Sequence, residues 1–215
     1  MADNIAYFNA CAAEFDGESA RNAAYYLDLT NQHAGMIPPR GKNSLLDVGC
    51  GPGHLLAQFK KTHTNWDVYG LDGSEQMLAL CKEKTIPGLS LSKINLEKNR
   101  LSFPDGKFDL VISYATLEYI NTACAVISDM LRVTKPGGRV LFSCLLNGEE
   151  GESPFESTEG DFPDKAIFNP ASYSYPEQMI YDAVYPARQI RAKKYDTLAF
   201  PNLEDSRHSL FELIK

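Results

Sequence analysis

Residues 45–54, LLDVGCGPGH, decide the fold of this chain. The first four form a short run that is typical of a buried parallel strand. The glycines Gly49, Gly51 and Gly53 follow, and the apolar residues of 55–59 then recur at helical spacing. This order predicts a strand, a glycine loop and a helix. In such a loop a ligand can lie against the backbone where a Cβ would clash, and the helix N-terminus supplies free N–H groups there.

The residues of the glycine loop distinguish two classes of ligand. A dinucleotide fingerprint requires Gly-x-Gly-x-x-Gly or Ala, whereas the sixth position here is His54. The spacing is instead Asp-x-Gly-x-Gly-x-Gly, which begins at Asp47. An acid just before the loop repels a pyrophosphate and attracts a cationic ligand. The loop therefore favours S-adenosylmethionine (SAM), which carries an ammonium and a sulfonium and no phosphate, over NAD(P).

A second acid follows at the end of the next predicted strand. Residues 67–72, DVYGLD, are typical of a parallel strand, and Asp72 ends it 21 residues after Gly51. This spacing matches the position at which a carboxylate accepts hydrogen bonds from ribose hydroxyls. Ser74 is a residue type that caps helix N-termini. Residues 89–94 alternate like a third strand, which ends just before Asn95.

Three further stretches show which family these motifs resemble. GLDGSEQML at 70–78 is similar to G-x-D-x-S-x-x-M-L, LSFPDGKFDLVIS at 101–113 to LPFPDxSFDxVxS, and LRVTKPGGRVLFS at 131–143 to LRxLKPGGxLxxS. These are motifs of the class I SAM-dependent methyltransferases, in the small-molecule branch of ubiquinone-biosynthesis-like enzymes. The resemblance covers residues 40–146 well and both ends loosely. It implies an α/β fold with a Rossmann-like, seven-stranded, mostly parallel sheet and helices on both faces.

The resemblance also implies which residues contact the cofactor. Asp47 and the glycine loop would hold the methionine end of SAM, Asp72 the ribose, and residues 95–96 the adenine. The family usually has an acid where this chain has Asn95, whose amide oxygen can accept a hydrogen bond but carries no charge. The complete predicted set is Asp47, Gly49, Cys50, Gly51, Asp72, Gly73, Met77, Asn95, Leu96, Ser113 and Tyr114. The product form of the cofactor would be S-adenosyl-L-homocysteine (SAH).

No catalytic residue is assigned from the sequence. The family commonly has a His where this chain has Tyr119, and a tyrosine with its ordinary pKa of about 10 is a poor base at neutral pH. Tyr114, Glu118 and Tyr119 are the candidates near the transferred methyl group, with packing and exclusion of water as the favoured role. A hydroxyl acceptor needs a base. The sequence therefore favours, slightly, a nitrogen acceptor or an acidic phenol or carboxylate.

The two ends of the chain are predicted to complete a single domain over residues 1–215. Residues 1–43 would be an N-terminal helical cap, with a break at Asp16–Gly17 between its two helices, and 44–146 the SAM-binding core. The cap either packs on the edge of the sheet or presents an aromatic side chain to the active site. The candidates for that second role are Tyr7, Phe15, Tyr25 and Tyr26. Residues 147–215 would form a variable lid at 147–176 and two C-terminal strands, at 188–198 and 206–214, with an antiparallel edge.

Composition limits the classes of function. The 215 residues carry a net charge of −7 and five cysteines without a CxxC pair. An odd number of scattered cysteines predicts reduced thiols, a cytoplasmic location and no bound metal. Nucleic-acid binders usually show a basic patch, so no nucleic-acid partner is expected. No apolar run approaches the length of a membrane span, and the chain is expected to be a monomer or a homodimer.

The function that these observations predict is transfer of the SAM methyl group to a small-molecule N, O or C nucleophile by in-line displacement. A NAD(P)-dependent oxidoreductase is disfavoured by His54. An RNA or protein methyltransferase of the same fold would have a basic surface, or an NPPY-like tetrapeptide where this chain has SYAT at 113–116. A non-catalytic SAM-binding regulatory protein remains open.

Overall fold

The computed structural model describes residues 4–39, 41–145, 180, 191–195 and 208–215. The helices of this part are α1 (Asn4–Ala10), α2 (Ala12–Gly35), α3 (His54–Thr62), α4 (Glu75–Glu83) and α5 (Ala123–Val133), with a 3-10 helix at Leu117–Tyr119. The strands are β1 (Ser44–Val48), β2 (Asp67–Asp72), β3 (Leu89–Lys93), β4 (Phe108–Ser113), β5 (Thr134–Leu145), β6 (Arg191–Tyr195) and β7 (His208–Ile214). The predicted lid at 147–176 lies outside the described residues. Among the helices above, none combines the length and apolarity needed to cross a membrane.

The strands described here form one sheet with the order β3-β2-β1-β4-β5-β7-β6. β1 to β5 are parallel to their neighbours, and β7 is antiparallel to both β5 and β6. The predicted seven-stranded, mostly parallel sheet with an antiparallel edge is confirmed. The described strands β6 and β7 lie inside the two stretches predicted as the last strands. Because β1 lies between β2 and β4, the loops that follow these strands meet at one edge of the sheet.

Alternate residues of the central strands pack on opposite faces of the sheet. Leu45 belongs to the core cluster beneath α2, α3 and α4, and its neighbour Leu46 belongs to the cluster beneath α5. Both are fully buried, as expected for a strand that is covered on two sides. The helices therefore lie on both faces, as predicted. All five cysteines lie in the described part, and none forms a disulfide there.

The helix break predicted at Asp16–Gly17 is wrong. α2 is continuous from Ala12 to Gly35. The carboxylate of Asp16 accepts hydrogen bonds from His54 Nε2 at 2.8 Å and from Lys84 Nζ at 3.0 Å. These contacts fix this turn of α2 against α3 and α4, and with the packing of α2 they outweigh the cost of about 1 kcal/mol for Gly17 inside a helix.

The Pro-Gly-Gly sequence at 136–138 is typical of a stop that ends a helix and reverses the chain, but it does not mark the end of α5. α5 ends at Val133 and β5 begins at Thr134, so the three residues lie inside the strand. The register shifts there, between the pairs that involve Phe108 and Leu110. A Cβ on Gly138 would lie 2.7 Å from Thr134 Cγ2. The motif therefore forms a bulge. Gly138 lies at a point of this bulge where a Cβ would collide with its neighbours.

Candidate active site

The glycine loop is held by backbone hydrogen bonds to the end of β2. The N–H groups of Gly49 and Cys50 both donate to Leu71 O, at 2.7 and 2.9 Å. The loop glycines have positive φ angles: +82° for Gly49, +51° for Gly51 and +79° for the third, at position 53. Side chains rarely tolerate these conformations. The backbone of the loop therefore requires glycine at all three positions.

The space beside the three glycines differs. A Cβ on Gly49 would lie 2.2 Å from Thr116 Oγ1, and a Cβ on Gly53 would lie 2.2 Å from Cys81 Sγ. Beside Gly51, no heavy atom of the described residues lies within 4 Å of the Cβ position. The prediction that the glycines make room for a ligand therefore applies at Gly51. At the other two positions the protein's own side chains fill the space.

Asp72, at the end of β2, is hydrogen-bonded through both carboxylate oxygens. Oδ2 accepts from Gly51 N at 2.9 Å, and Oδ1 accepts from Ser74 N at 2.8 Å. Ser74 is the N-cap of α4, as predicted, and its hydroxyl accepts from Met77 N at 3.1 Å. Asp72 thus links the glycine loop after β1 to the first turn of α4.

A second carboxylate, Asp47, lies in β1 and is only 5% exposed. Burial is the main cause that raises its pKa to about 8, and the negative charge of Asp72 adds to the rise. Burial also raises the pKa of Asp72, against the opposing effect of hydrogen bonds from the backbone of Ser74, Gly51 and Gly73. Two acids whose charged forms are both disfavoured form an environment that a cationic ligand would stabilise.

A cavity of about 460 Å³ opens where β1, β2, β3 and β4 end. This volume lies within the usual range for small-molecule sites. Seven of the eleven predicted cofactor residues line it: Gly49, Gly51, Asp72, Gly73, Met77, Asn95 and Leu96. The structure therefore brings together the residues predicted for the loop, the ribose and the adenine. Their contacts with a cofactor remain predictions.

Two of the other four predicted residues, at the end of β4, form contacts inside the protein instead. Ser113 Oγ donates to Val48 O at 2.8 Å, which joins β4 to β1. The Tyr114 hydroxyl lies 3.3 Å from Thr30 Oγ1, and its ring stacks on Tyr26 with 4.4 Å between the centroids. Both side chains are buried and do not line the cavity.

The remaining two, Asp47 and Cys50, lie behind the glycine loop. Asp47 is paired in register with Gly70 of β2. The thiol of Cys50 lies beside the same residue, because a Cβ on Gly70 would be 2.8 Å from Cys50 Sγ. Neither residue is part of the cavity wall, so Asp47 would act on a ligand through its charge.

The N-terminal helices form the opposite wall of the cavity. Asn4, Ile5, Phe8 and Phe15 all line it. Phe15 is thus the one of the four aromatic candidates in the cap that reaches the cavity. Sequence reasoning missed the three residues of α1, although the helical spacing of Ile5 and Phe8 marked an apolar face that needed a partner.

The chain after β4 supplies the last part of the wall. Ala115 has a left-handed φ of +49°, which costs about 1–2 kcal/mol for a residue with a Cβ. Its N–H donates to Ser143 Oγ at 2.9 Å. Thr116, the next residue, is thereby placed over the loop with Oγ1 3.3 Å from Gly49 O. No residue type at this position predicted the turn, because alanine does not favour left-handed backbone.

Among the three catalytic candidates, Tyr119 lines the cavity, whereas Tyr114 and Glu118 do not. The Tyr119 ring packs edge-on against Phe8, with 5.0 Å between the centroids. Burial and then the nearby charge of Glu118 raise the pKa of Tyr119 far above its ordinary value. The hydroxyl therefore stays protonated at neutral pH and can donate a hydrogen bond but cannot serve as a base.

Asn95 lies two residues after the end of β3, where an adenine acceptor was predicted. Its Oδ1 accepts from Glu97 N at 3.0 Å, so one of its two lone pairs is already used inside the turn. A carboxylate would have more acceptor capacity at this point. The departure from the family pattern that was noted in the sequence therefore has a structural consequence, since Asn95 offers an incoming adenine amino group one acceptor site at most.

Comparisons with known proteins agree with this geometry. The profile of the family described as Methyltransferase domain matches residues 46–142. A demethylmenaquinone methyltransferase of Shouchella clausii is 30% identical over 181 residues, which cover 79% of this chain and 68% of that protein. A 27-O-demethylrifamycin SV methyltransferase of Amycolatopsis mediterranei is 30% identical over 135 residues, 61% of this chain and 49% of that protein. The solved structure of the DhpI–SAM–HEP complex matches this chain with a TM-score of 0.71 at 15% identity. The match covers 100% of both chains.

The chain belongs to the class I SAM-dependent methyltransferases, which confirms the resemblance seen in its motifs. The structural match, at 15% identity, shows the fold alone. The cofactor of the family is SAM, and the open space at Gly51 beside two acids fits a cationic, phosphate-free ligand. The chain spans about half or less of the length of several relatives, 49% of the rifamycin enzyme and 37% of a methyltransferase of Schizosaccharomyces pombe.

Proposed function

We propose that this protein transfers the methyl group of SAM to an N, O or C atom of a small molecule. The observation that carries the proposal is the pair of acids near the open Gly51: Asp72 lies in the wall of a cavity of about 460 Å³, and Asp47 lies behind the glycine loop. A ligand with a positive charge stabilises the charged forms of both acids, and a pyrophosphate disfavours them further. This favours SAM over a dinucleotide.

The residues that would hold the cofactor follow from their places in the cavity. The glycine loop, open at Gly51, would face the methionine end of the cofactor, Asp72 its ribose hydroxyls, and residues 95–96 its adenine. Asp47 would balance the positive charge of the methionine end from behind the loop. When bound, SAM supplies a methyl group on a sulfonium, which an in-line nucleophile displaces. The protein's share of this reaction is mainly orientation and exclusion of water.

Three aromatic side chains in the cavity wall support the exclusion of water. Phe8, Phe15 and Tyr119 present rings to the cavity, so water in contact with them is weakly held. Tyr119 stays protonated and can only donate a hydrogen bond. Among the described residues of the cavity wall there is no histidine. We therefore favour an acceptor that needs no strong base, such as an amine, an acidic phenol or a carboxylate.

Relatives support a small-molecule acceptor by what their names state. One acts in rifamycin methylation and another on demethylmenaquinone. We propose that this chain is a single domain, that it works in the cytoplasm as a monomer or homodimer, and that it has no nucleic-acid partner. The alternatives are an RNA or protein methyltransferase of this fold and a regulatory protein that binds SAM without transferring its methyl group.

Calorimetric titration tests the cofactor directly. SAM and SAH are titrated into the wild type, into Asp72→Ala and into the matched variant Asp67→Ala, with NAD as the control ligand. Asp67 lies at the other end of β2 and pairs with Lys42 on the surface, so its removal should change little. We expect both ligands to bind the wild type and Asp67→Ala, at least tenfold weaker binding to Asp72→Ala, and no binding of NAD.

Binding of NAD in place of SAH would overturn the proposal. If SAM binds, a panel of small amines, phenols and carboxylic acids is then offered with methyl-labelled SAM. Transfer of label to one of these classes identifies the acceptor. Binding of SAM with transfer only to RNA or to a protein, or with no transfer at all, would replace the proposed function with one of its two alternatives.

A further inference from the structure

We propose that Asn9 of α1 is a positioning residue of the cofactor site, which acts through Ser74 on the ribose-facing carboxylate of Asp72. The inference rests on the function proposed above. It goes further because it gives the N-terminal helix a role in orienting the ribose-facing carboxylate, in addition to covering the cavity.

Asn9 caps the first turn of α4 from another part of the chain. Its Oδ1 accepts from Ser74 Oγ at 2.8 Å and from Gln76 N at 3.3 Å. Because a backbone N–H can only donate, the second contact orients the amide with its oxygen toward α4. The Ser74 hydroxyl in turn accepts from Met77 N at 3.1 Å. Asn9 therefore satisfies, directly or through Ser74, N–H groups that have no partner within the helix.

Ser74 connects this cap to the carboxylate. Its hydroxyl is held by Asn9, and its backbone N–H donates to Asp72 Oδ1 at 2.8 Å. The other carboxylate oxygen is held by Gly51 N at 2.9 Å. The backbone of Gly73 also donates to this carboxylate. The orientation of the carboxylate thus depends on the glycine loop and on the two residues that follow Asp72, of which Ser74 is the one that Asn9 holds. A shift of Ser74 would turn the carboxylate away from the geometry that suits two ribose hydroxyls.

α1 places Asn9 beside Ser74, in the loop that follows β2. Near the start of the helix, Asn4 Nδ2 donates to Tyr119 O at 2.7 Å, after the end of β4. In between, Ile5 lies against Gly73, where an added Cβ would be 2.9 Å from Ile5 Cγ1. α1 therefore bridges the loops that follow β4 and β2. Its contact with the second loop is the hydrogen bond between Asn9 and Ser74, two residues after Asp72.

Binding of two ligands distinguishes a specific effect of Asn9 on the ribose subsite from a general loss of structure in the variant. SAH and its 2′,3′-dideoxy analogue, which lacks the ribose hydroxyls, are titrated calorimetrically into the wild type and Asn9→Ala. We expect Asn9→Ala to bind SAH about fivefold to tenfold more weakly, the effect of about one lost hydrogen bond. We expect less than about a twofold change for the analogue, because it has no hydroxyls for Asp72 to accept from.

Asn31→Ala is the matched control. Asn31 also belongs to the N-terminal helices, and its Oδ1 lies 3.0 Å from His63 Nε2, just after the end of α3. Neither residue lines the cavity, so the variant loses the same kind of contact without touching the ribose subsite. Hydrogen exchange of the ligand-free proteins gives a second readout. The amides of Gln76 and Met77 should exchange faster in Asn9→Ala than in the wild type or Asn31→Ala.

Equal losses for SAH and the dideoxy analogue would overturn the inference, as would an Asn9→Ala variant that binds SAH as tightly as Asn31→Ala does. Unchanged exchange at Gln76 and Met77 would overturn the capping contact itself. These results leave the proposed function standing, because the wild type still binds SAH. A wild type that does not bind SAH would instead overturn the proposed function and this inference together.

Discussion

The cavity has two walls that are held in place by different kinds of contact. In the core wall, Gly49 and Cys50 are fixed by backbone hydrogen bonds to Leu71, inside a sheet that is buried on both faces. In the cap wall, α1 and α2 are joined to the core by polar side chains, among them Asn9 and Asp16. The core wall therefore depends on backbone geometry, and the cap wall depends on contacts between side chains, both these polar pairs and the apolar packing of α2.

This difference predicts how the two walls respond to mutation. A hydrogen bond between side chains contributes about 1 kcal/mol on average, so each change in the cap wall should have a modest effect. A side chain introduced into the glycine loop has to overcome both backbone strain and a collision. The following predictions test that contrast, and each is measured as the free energy of unfolding in urea.

The largest effect is expected from Gly49→Ala. The new methyl group would lie 2.2 Å from Thr116 Oγ1, on a residue whose φ is +82°. We expect a loss of about 3 kcal/mol, of which about 1–2 kcal/mol is left-handed strain and the rest is overpacking. Calorimetry with SAH should show that binding is lost along with the loop geometry.

Gly51→Ala is the matched variant, because its φ is +51° and its Cβ position is open. We expect it to lose only about 1 kcal/mol of stability but at least tenfold in SAH affinity, since the methyl group would occupy the ligand's space. If Gly51→Ala were the more destabilised of the two, the assignment of Gly49 to packing and Gly51 to the ligand would be reversed.

Sequence reasoning predicted the core wall well and the cap wall poorly, for a physical reason. Asp72 and Ser74 are marked by local chemistry, a strand end and an N-cap, so their positions follow from neighbours in the sequence. Asn9 acquires its role from Ser74, which is 65 residues away. His54 was used only to exclude a dinucleotide, and its contact with Asp16 of α2 depends on tertiary packing that no local pattern encodes.

The pH dependence of the free energy of unfolding tests the charge state of Asp47 in the core wall. Its pKa is raised to about 8, first by burial and then by Asp72, whereas in the unfolded chain it titrates at about 4. Between these values the folded protein binds one proton more than the unfolded chain, so stability falls as pH rises. We expect this group to remove about 2 kcal/mol between pH 6 and pH 8.

The comparison variant for this effect is Asp47→Asn, which keeps the shape of the side chain and cannot titrate. Its stability should vary less than that of the wild type over the same pH range, and the two curves should diverge most at pH 8. Identical pH profiles for the two proteins would show that Asp47 is ionised throughout, and the charge argument for a cationic ligand would then rest on Asp72 alone.

The smallest effect is expected in the cap wall, from Asp16→Asn. Asp16 receives hydrogen bonds from His54 and Lys84, and its side chain is 33% exposed. Exposure and salt weaken such pairs, so we expect a loss of about 1 kcal/mol that shrinks at high ionic strength. Glu14→Gln, a charge removal on the exposed side of the same helix, should change stability by less than about 0.5 kcal/mol. A loss for Asp16→Asn as large as that for Gly49→Ala would mean that the cap is as integral to the fold as the glycine loop, and that the two walls do not differ in kind.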